Sequence, residues 1–157
     1  SEVGADKIAE FAHNLGIDFG ENLYESAGLG GFDGTNPLSM SAAYAAFGRG
    51  GIYIEPYTFT KIIYTESEEE YTHPVEQERV MSEETAYMIT DILVDAGAGG
   101  IGGSIHINGT DVAAKGGTST IDSESAAALG IPRSATPNHW YITYSPDYSI
   151  ALWFGYN

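Results

Sequence analysis

The hydrophobic period changes along this chain, and that change restricts the fold class more than any other feature. Near the start, the apolar residues of "VGADKIAEFAHNLGI" recur at i, i+3, i+4 and i+7, as on an amphipathic helix. From residue 111 onward, "DVAAKGGTST", "HWYITYS" and "YSIALWFGY" are typical of three strands, the last two joined as a hairpin. Helices followed by an antiparallel sheet predict an α+β fold with helices packed on that sheet.

Three helices are expected. The first ends at Gly16, where a left-handed cap fits. The second covers 37–47 and begins at a proline, with Asn36 as its N-cap. The third covers about 82–94 and has Ser82 as its cap. The buried stripes predicted for the first and third helices are Ile8, Phe11, Ala12 and Leu15, and Ala86, Ile89 and Leu93.

The last strand has two apolar faces, one of which carries Ile150, Leu152 and Phe154. Such a strand is predicted to lie inside a sheet that is covered on both sides. We expect the remaining strands of that sheet to come from residues outside this chain. Earlier in the chain, "IYIEPYTFTKIIYTES" predicts an extended or hairpin segment with Pro56 at an edge, and "ESEEE" predicts a solvated tip.

Charge and cysteine content exclude several functions. Six Lys+Arg against 22 Asp+Glu give a net charge of −16, which argues against nucleic acid or an anionic membrane surface as a partner. The absence of cysteine excludes disulfides and thiolate sites. No apolar run reaches the ~20 residues that span a bilayer. The start at Ser1 and the apolar last residues lead us to expect a piece of a longer protein.

Two patterns that suggest ligands are interpreted as structural. "GAGGIG" at 97–102 matches G-x-G-x-x-G, but a helix precedes it and a strand follows, the reverse of a dinucleotide site. We interpret it as a helix-to-strand loop. The histidines are scattered and near no acidic pair at metal-ligand spacing, so no metal site and no cofactor are expected. They are His13, His73, His106 and His139.

"AAKGGTST" at 113–120 places a lysine beside two glycines and three hydroxyl residues. If it is a strand, Lys115, Gly117 and Ser119 share one face, and Gly116 and Thr118 share the other. Glycines inside a strand suit a site where a ligand or another backbone comes close. A free strand edge could pair with an extended peptide while the lysine holds its carboxylate. On these residues alone, a solvated lysine at a sheet edge is the favoured interpretation.

The order of motifs around this stretch resembles the transpeptidase domain of penicillin-binding proteins, particularly the bifunctional class A type. "KGGT" at 115–118 is similar to that family's third motif, K-[ST]-G-[ST]. "NPLSMSAAYAAFGRGGIYIEP", "RVMSEETAYMITDILVDAG" and "NHWYITYSPDYSIALWFGYN" resemble the family's proline-led helix, its following helix and its closing hairpin. The segment at 123–137, with "GIP" inside it, is expected to be a loop and is most similar to Gram-positive versions. The resemblance covers nearly all of 1–157 and implies a serine β-lactamase and penicillin-binding-protein fold, here the C-terminal part of one domain.

The resemblance also implies roles for the third-motif residues. Lys115 would help organise proton transfer and attract the terminal carboxylate of the substrate. The backbone N–H of Thr118 would form half of an oxyanion hole, and its hydroxyl would help hold the carboxylate. The other residues expected to line the substrate site are Gly116, Gly117, Ser119 and Thr120.

The sequence departs from the family's pattern in two places. Gly116 stands where the family has Thr or Ser, so one hydroxyl for the substrate carboxylate is missing. In addition, no serine here has lysine three residues on or asparagine two residues on, which the motifs S-x-x-K and S-x-N require. The chain therefore contains no candidate nucleophile, and by itself it is expected to be inactive.

Three functions follow from these observations. The first is part of a D,D-transpeptidase that acts on stem peptides ending in D-Ala-D-Ala. The second is a non-catalytic module of the same fold that binds peptidoglycan or a partner, and the third is a relative of serine β-lactamases or carboxypeptidases. For the first, the implied partners are a stem peptide or lipid-linked glycan, β-lactams and the N-terminal remainder of the domain. The implied location is the outer face of a bacterial cytoplasmic membrane, with the anchor outside this chain.

Overall fold

The computed structural model describes residues 3–20, 26, 28, 30, 34–99, 105 and 107–155, and the fold is α+β, as expected. The described helices are α1 (Ala5–Asn14), α2 (Pro37–Gly48), α3 (Glu83–Gly99) and α4 (Ser123–Leu129). The described strands are β1 (Ile52–Tyr53), β2 (Lys61–Ile63), β3 (Glu70–Thr72), β4 (Glu78–Arg79), β5 (Ala113–Thr118), β6 (Asn138–Tyr144) and β7 (Ser149–Gly155). Within these residues, no helix has the length and apolar character needed to cross a membrane.

The main sheet has three antiparallel strands in the order β5-β6-β7. Its register pairs Ala113 of β5 with Tyr144 of β6, and Tyr144 with Ser149 of β7. The chain turns from β6 to β7 directly after Tyr144, where the Ser145 N–H donates to the Tyr148 carbonyl at 2.8 Å. The predicted strands and the predicted hairpin are therefore confirmed.

The extended segment after α2 forms two small antiparallel pairs. β1 pairs with β4, and β2 pairs with β3. The acidic run "ESEEE" lies at the turn of the β2–β3 hairpin and ends in β3 at Glu70, with all of its residues exposed. The interpretation of this segment as a hairpin with a solvated tip is confirmed.

Helix α2 packs on the main sheet through Tyr44 and Phe47, whose rings lie against Tyr144 of β6. Asn36 caps the helix by accepting the Ser39 N–H at 2.9 Å, as predicted. The Ser149 hydroxyl of β7 donates to the Ser41 carbonyl of α2 at 2.7 Å, a contact that joins helix and sheet. The buried small residues of α2 are Ala42, Ala43 and Ala46.

Tyr144 connects α3 to the same face of the sheet. Its ring belongs to a buried cluster with Leu93 of α3 and Ala113 of β5. The hydroxyls of Tyr144 and Thr90 lie 2.9 Å apart and share a hydrogen bond. Burial raises the pKa of Tyr144 above its usual 10.0, although the bond to Thr90 opposes that shift. Two helices, α2 and α3, thus cover one face of the sheet.

The predicted starts and caps of the helices are largely confirmed. α1 ends one residue before Leu15, and Gly16 has a positive φ of 73°. Leu15, Ala86 and Leu93 are buried, and Ile89 packs against their clusters. Phe11 is an exception within the predicted α1 stripe, because 38% of it is exposed.

Two expectations about the extent of elements are wrong. Helix α3 continues to Gly99 instead of ending at Val94, so the part of "GAGGIG" at 97–99 is helical, and 100–102 lie outside the described residues. The segment at 123–137, expected to be a loop, contains α4, because Asp122 caps that helix.

Within the described residues, strand β7 is covered on one face only, the face of Tyr144. It lies at the edge of the main sheet, since among the described strands only β6 pairs with it. Its outward face is more than half exposed at Ile150, Leu152 and Phe154. An apolar pattern on both faces predicts burial only where a second layer exists, and the described residues supply one layer, on the face of Tyr144.

Candidate active site

Strand β5 carries the third-motif residues along the opposite edge of the main sheet. Its first two residues, Ala113 and Ala114, are 1% and 4% exposed and anchor the strand. From Lys115 onward the strand leaves the core, and Lys115 and Thr118 are exposed. The anchored start therefore holds an accessible end in a defined position.

The register determines the face on which each site residue lies. Residues directly opposite each other in an antiparallel pair share a face. Lys115 pairs with Ile142 and Gly117 with Trp140, so Lys115 and Gly117 lie on the face that α2 and α3 cover further along. Thr118 pairs with His139 and lies on the other face with Gly116.

The direction of the backbone groups follows from the same register. The Ser119 N–H donates to the Asn138 carbonyl at 3.0 Å, so the backbone groups of Ser119 point toward β6. Because these groups alternate sides along a strand, the N–H and C=O of Thr118 and Gly116 point toward the opposite edge. No described strand pairs with that edge, so these groups can meet an incoming extended ligand.

The Lys115 ammonium lies at this free edge. Its Nζ donates to the Gly116 carbonyl at 2.6 Å, so the side chain folds back along its own strand. A peptide that paired with this edge would compete for the Gly116 carbonyl. The cation is then released beside the bound peptide, where it can meet a carboxylate.

The two glycines leave open space around the strand. A Cβ built on Gly116 would have its nearest neighbours at 3.9 Å, the Tyr141 Cδ2, and at 4.0 Å, the Trp140 carbonyl oxygen. A Cβ on Gly117 would meet the Trp140 Cβ at 3.4 Å. Neither glycine is required by its own packing, because these distances are ordinary contacts.

Ser119 is tied to the start of β6. Its Oγ accepts two hydrogen bonds from Asn138, one from the backbone N–H and one from Nδ2, both at 3.1 Å. Asn138 Oδ1 in turn accepts the Trp153 indole N–H at 2.9 Å. Neither Asn138 nor Trp153 carries a local sequence signal for this contact, because Asn138 is 19 residues from Ser119 and no motif connects them.

Helix α4 begins shortly after the site. Thr120 is exposed, and Asp122 caps α4 by accepting the N–H groups of Glu124 and Ser125 at 3.0 and 2.9 Å. Hydrogen bonds from the Ser125 hydroxyl and N–H, and from the Glu124 N–H, hold the pKa of Asp122 below its usual 3.8. The charged cap therefore stabilises the return of the chain toward β6.

The described histidines lie on different parts of the chain, with His13 in α1 and His139 in β6, where it pairs with Thr118. The His139 ring stacks on Phe154 at 4.8 Å, and the His73 ring lies 4.9 Å from the Tyr57 ring. His106 lies outside the described residues. Within the described part of the chain, no group of three or more His, Asp or Glu side chains could hold a metal ion.

Comparison with known proteins identifies the family. The model of the penicillin-binding protein transpeptidase domain matches residues 1–154. The chain belongs to this family. It is 34% identical over 157 residues to penicillin-binding protein 1A/1B of Bacillus subtilis (strain 168), and the match covers 98% of this chain. It is 33% identical over 164 residues to penicillin-binding protein 1A of Streptococcus oralis, with 99% of this chain covered.

The match covers only part of each relative. The chain spans 17% of the length of the Bacillus subtilis protein and 25% of the Streptococcus oralis protein. These relatives are class A penicillin-binding proteins, the type that the motif order resembles. The resemblance drawn from the sequence is therefore confirmed at the level of the family.

Solved structures agree on the fold. The penicillin-binding protein PonA1 from Mycobacterium tuberculosis superposes with a TM-score of 0.77 at 22% identity, over 99% of this chain and 42% of that chain. PBPA from Mycobacterium tuberculosis superposes with a TM-score of 0.70 at 23% identity, over 98% of this chain and 38% of that chain. The penicillin-binding-protein fold expected from the sequence is confirmed.

Proposed function

We propose that this chain is the C-terminal part of a D,D-transpeptidase domain and forms one wall of its active site. The observation that carries the proposal is the free edge of β5, which presents the Lys115 ammonium and the outward N–H of Thr118. Family membership supports a place in peptidoglycan synthesis. The substrate is a stem peptide ending in D-Ala-D-Ala, or the lipid-linked glycan that bears it.

The stem peptide binds as an extra strand along β5. Its backbone pairs with the outward groups of Gly116 and Thr118, and its terminal carboxylate meets the Lys115 ammonium. The Thr118 and Thr120 hydroxyls supply further donors. Ser119 lies beside these donors, and its Oγ accepts two hydrogen bonds from Asn138.

The reaction is acyl transfer by a serine that lies outside these 157 residues. The serine oxygen attacks the penultimate D-Ala carbonyl carbon, and the Thr118 N–H stabilises the oxyanion that forms. The peptide bond breaks, the terminal D-Ala leaves with a proton, and an ester to serine remains. The amine of a neighbouring stem peptide then attacks the ester, forming a new amide and restoring the serine. Lys115 helps organise the proton transfers.

The rest of the domain supplies the nucleophile and further strands of the sheet. The relatives extend well beyond the matched region, and the exposed apolar face of β7 supports a covering layer from such residues. The protein then acts at the outer face of a bacterial cytoplasmic membrane, held by an anchor outside this chain. β-Lactams occupy the same edge, and solved penicillin-binding protein A structures from Mycobacterium tuberculosis include penicillin G and imipenem acyl-enzyme complexes.

Intact mass after incubation with a β-lactam tests the proposal. We expect no covalent adduct on the 157-residue chain, because it contains no S-x-x-K serine. A longer chain that adds the upstream S-x-x-K and S-x-N segments should gain the mass of one β-lactam. The matched control is that longer chain with the S-x-x-K serine replaced by alanine, which should gain none.

The same measurement separates the proposal from its alternative, a non-catalytic module that binds peptidoglycan or a partner. Gly116 and the absence of S-x-x-K here are the observations that favour the alternative. A folded longer chain that forms no adduct would support the module and overturn the transpeptidase. An adduct on the 157-residue chain would overturn the assignment of the nucleophile to other residues.

A further inference from the structure

The end of β5 is joined to both other strands of the main sheet through one side chain. Asn138, at the start of β6, donates twice to the Ser119 hydroxyl, at 3.1 Å each, and accepts the Trp153 indole N–H from β7 at 2.9 Å. The Ser119 N–H donates back to the Asn138 carbonyl at 3.0 Å. We name the three residues Ser119, Asn138 and Trp153 the cross-strand clamp.

The clamp lies where β5 ends and the chain leaves the main sheet. After Ser119 the chain leaves the sheet and returns only at Asn138, with α4 in between. The residue before Ser119 is Thr118, the last residue of β5. A strand end beside such a long excursion frays easily unless it is tied down. Three hydrogen bonds hold this end where an ordinary strand pair would have two.

The clamp residues are partly shielded from water on the face of the sheet that also carries Lys115. All three side chains are partly buried. In the register, Trp153 pairs with Trp140, and Trp140 pairs with Gly117 on the Lys115 face. Hydrogen bonds in such a site are stronger than in water, so the clamp can hold a backbone group in position.

We infer that the clamp positions the Thr118 N–H for its part in acyl transfer. This inference rests on the proposed function. Stabilisation of an oxyanion depends on donors held in place before the reaction, and a displacement of about 1 Å can cost ~100-fold in rate. Ser119 and Asn138 are therefore positioning residues that act through Thr118, and Trp153 fixes the orientation of the Asn138 amide.

A double-mutant cycle in the longer, S-x-x-K-bearing protein tests the inference. Intact mass is followed over time at several β-lactam concentrations, which separates the saturating acylation rate from the binding that precedes it. Ser119→Ala and Asn138→Ala should each lower the saturating rate about tenfold or more, with the preceding binding unchanged. The double variant should be no slower than the slower single variant, because both substitutions break one unit.

Conservative variants distinguish positioning from a loss of folding. Ser119→Thr keeps the oxygen that accepts from Asn138, so its rate should stay close to that of the unchanged protein. Trp153→Phe keeps the ring and removes the indole N–H, so its rate should fall while its melting temperature stays within a few degrees. If Asn138→Ala does not fold, Trp153→Phe still tests whether the clamp positions the Thr118 N–H.

The possible results distinguish a failure of the proposed function from a failure of the clamp inference. If the unchanged protein forms no adduct, the proposed function fails before the clamp is tested. If it forms an adduct and Ser119→Ala, Asn138→Ala and Trp153→Phe keep its saturating rate, the clamp inference is overturned and the function stands. Additive effects with weakened binding for Ser119→Ala would make Ser119 a direct ligand of the substrate, which also overturns the inference.

Discussion

At the scale of the residue, Gly116 is the position of the candidate site where the sequence departs from the motif that it resembles. That resemblance implies Thr or Ser there, so the glycine would lack a hydroxyl for the substrate carboxylate. The structure gives no packing reason for glycine, because a Cβ at Gly116 would meet nothing closer than 3.9 Å. The space around Gly116 therefore tolerates a side chain, and we expect substitutions there to affect ligand binding more than packing.

We predict that Gly116→Thr speeds acylation of the longer, S-x-x-K-bearing protein by a β-lactam. One hydrogen bond to a charged group contributes about 1.5–3 kcal/mol, which corresponds to roughly ten- to hundredfold in rate. Gly116→Val is the matched control, because valine has nearly the shape of threonine without the hydroxyl. The rate of adduct formation by intact mass is the measurement. Equal rates for the two variants, or slower acylation by Gly116→Thr, would show that the site is built around glycine.

The residues of the site were predictable to different degrees. Lys115 and Thr118 stand out because they belong to a short motif inside an ordered series of motifs. Asn138 and Trp153 carry no such signal, because an asparagine at a strand start and a tryptophan in a strand are common. Their connection to Ser119 exists only once β5, β6 and β7 lie side by side.

At the scale of the element, helix α3 continues through glycines at the point where it packs against β5. The sequence predicts an end near Val94 because glycine is a poor helix former. The helix instead continues to Gly99, and Gly97 lies against β5. A Cβ on Gly97 would be 2.8 Å from the Val112 carbonyl oxygen and 3.3 Å from the Ala114 Cβ. The missing side chain is what lets helix and strand approach.

We predict opposite effects for alanine at the two glycines of this last turn. Gly97→Ala should lower the free energy of unfolding by about 1–3 kcal/mol, because its Cβ would push α3 away from β5. Gly99→Ala is the matched control, since nothing lies within 4 Å of a Cβ there. It should be neutral or raise the free energy of unfolding by up to ~1 kcal/mol through helix propensity. Denaturant unfolding of the folded protein measures both, and similar destabilisation by both would contradict the packing explanation.

At the scale of the whole molecule, the main sheet has a free edge at each end in the described part of the chain. One edge, on β5, is polar and carries the candidate site. The other, on β7, is flanked by a face where Ile150, Leu152 and Phe154 are 57–62% exposed. Unpaired strand edges beside apolar surface favour pairing with another chain. The net charge of −16 opposes such association, more strongly at low salt.

We predict that the 157-residue chain by itself self-associates through β7, increasingly so as salt screens its charge. Sedimentation velocity over a range of salt concentrations measures the average mass. Leu152→Lys should reduce the association, because a charge on an edge strand discourages pairing. Leu129→Lys adds the same charge at an exposed apolar position on α4 and is the control. A chain that stays monomeric at high salt, or two variants that associate equally, would contradict the prediction.

The sequence by itself determined the order and type of most elements, because caps and hydrophobic periods are local. Asn36 ahead of a proline, Gly16 after an apolar stripe and the alternation around Ser145 each act within a few residues. The family was also accessible, because its motifs are short and keep their order. Family comparison then confirmed it over residues 1–154.

Only the tertiary structure decided what depends on residues far apart in the chain. The free edge of β5, the outward direction of the Thr118 N–H and the exposure of β7 all follow from the strand order. The length of α3 follows from its contact with β5. The two hydrogen bonds that the Ser119 hydroxyl accepts come from Asn138, on a different strand. Local sequence cannot encode these features, because each one is a contact whose partner is set by the packing of the whole sheet.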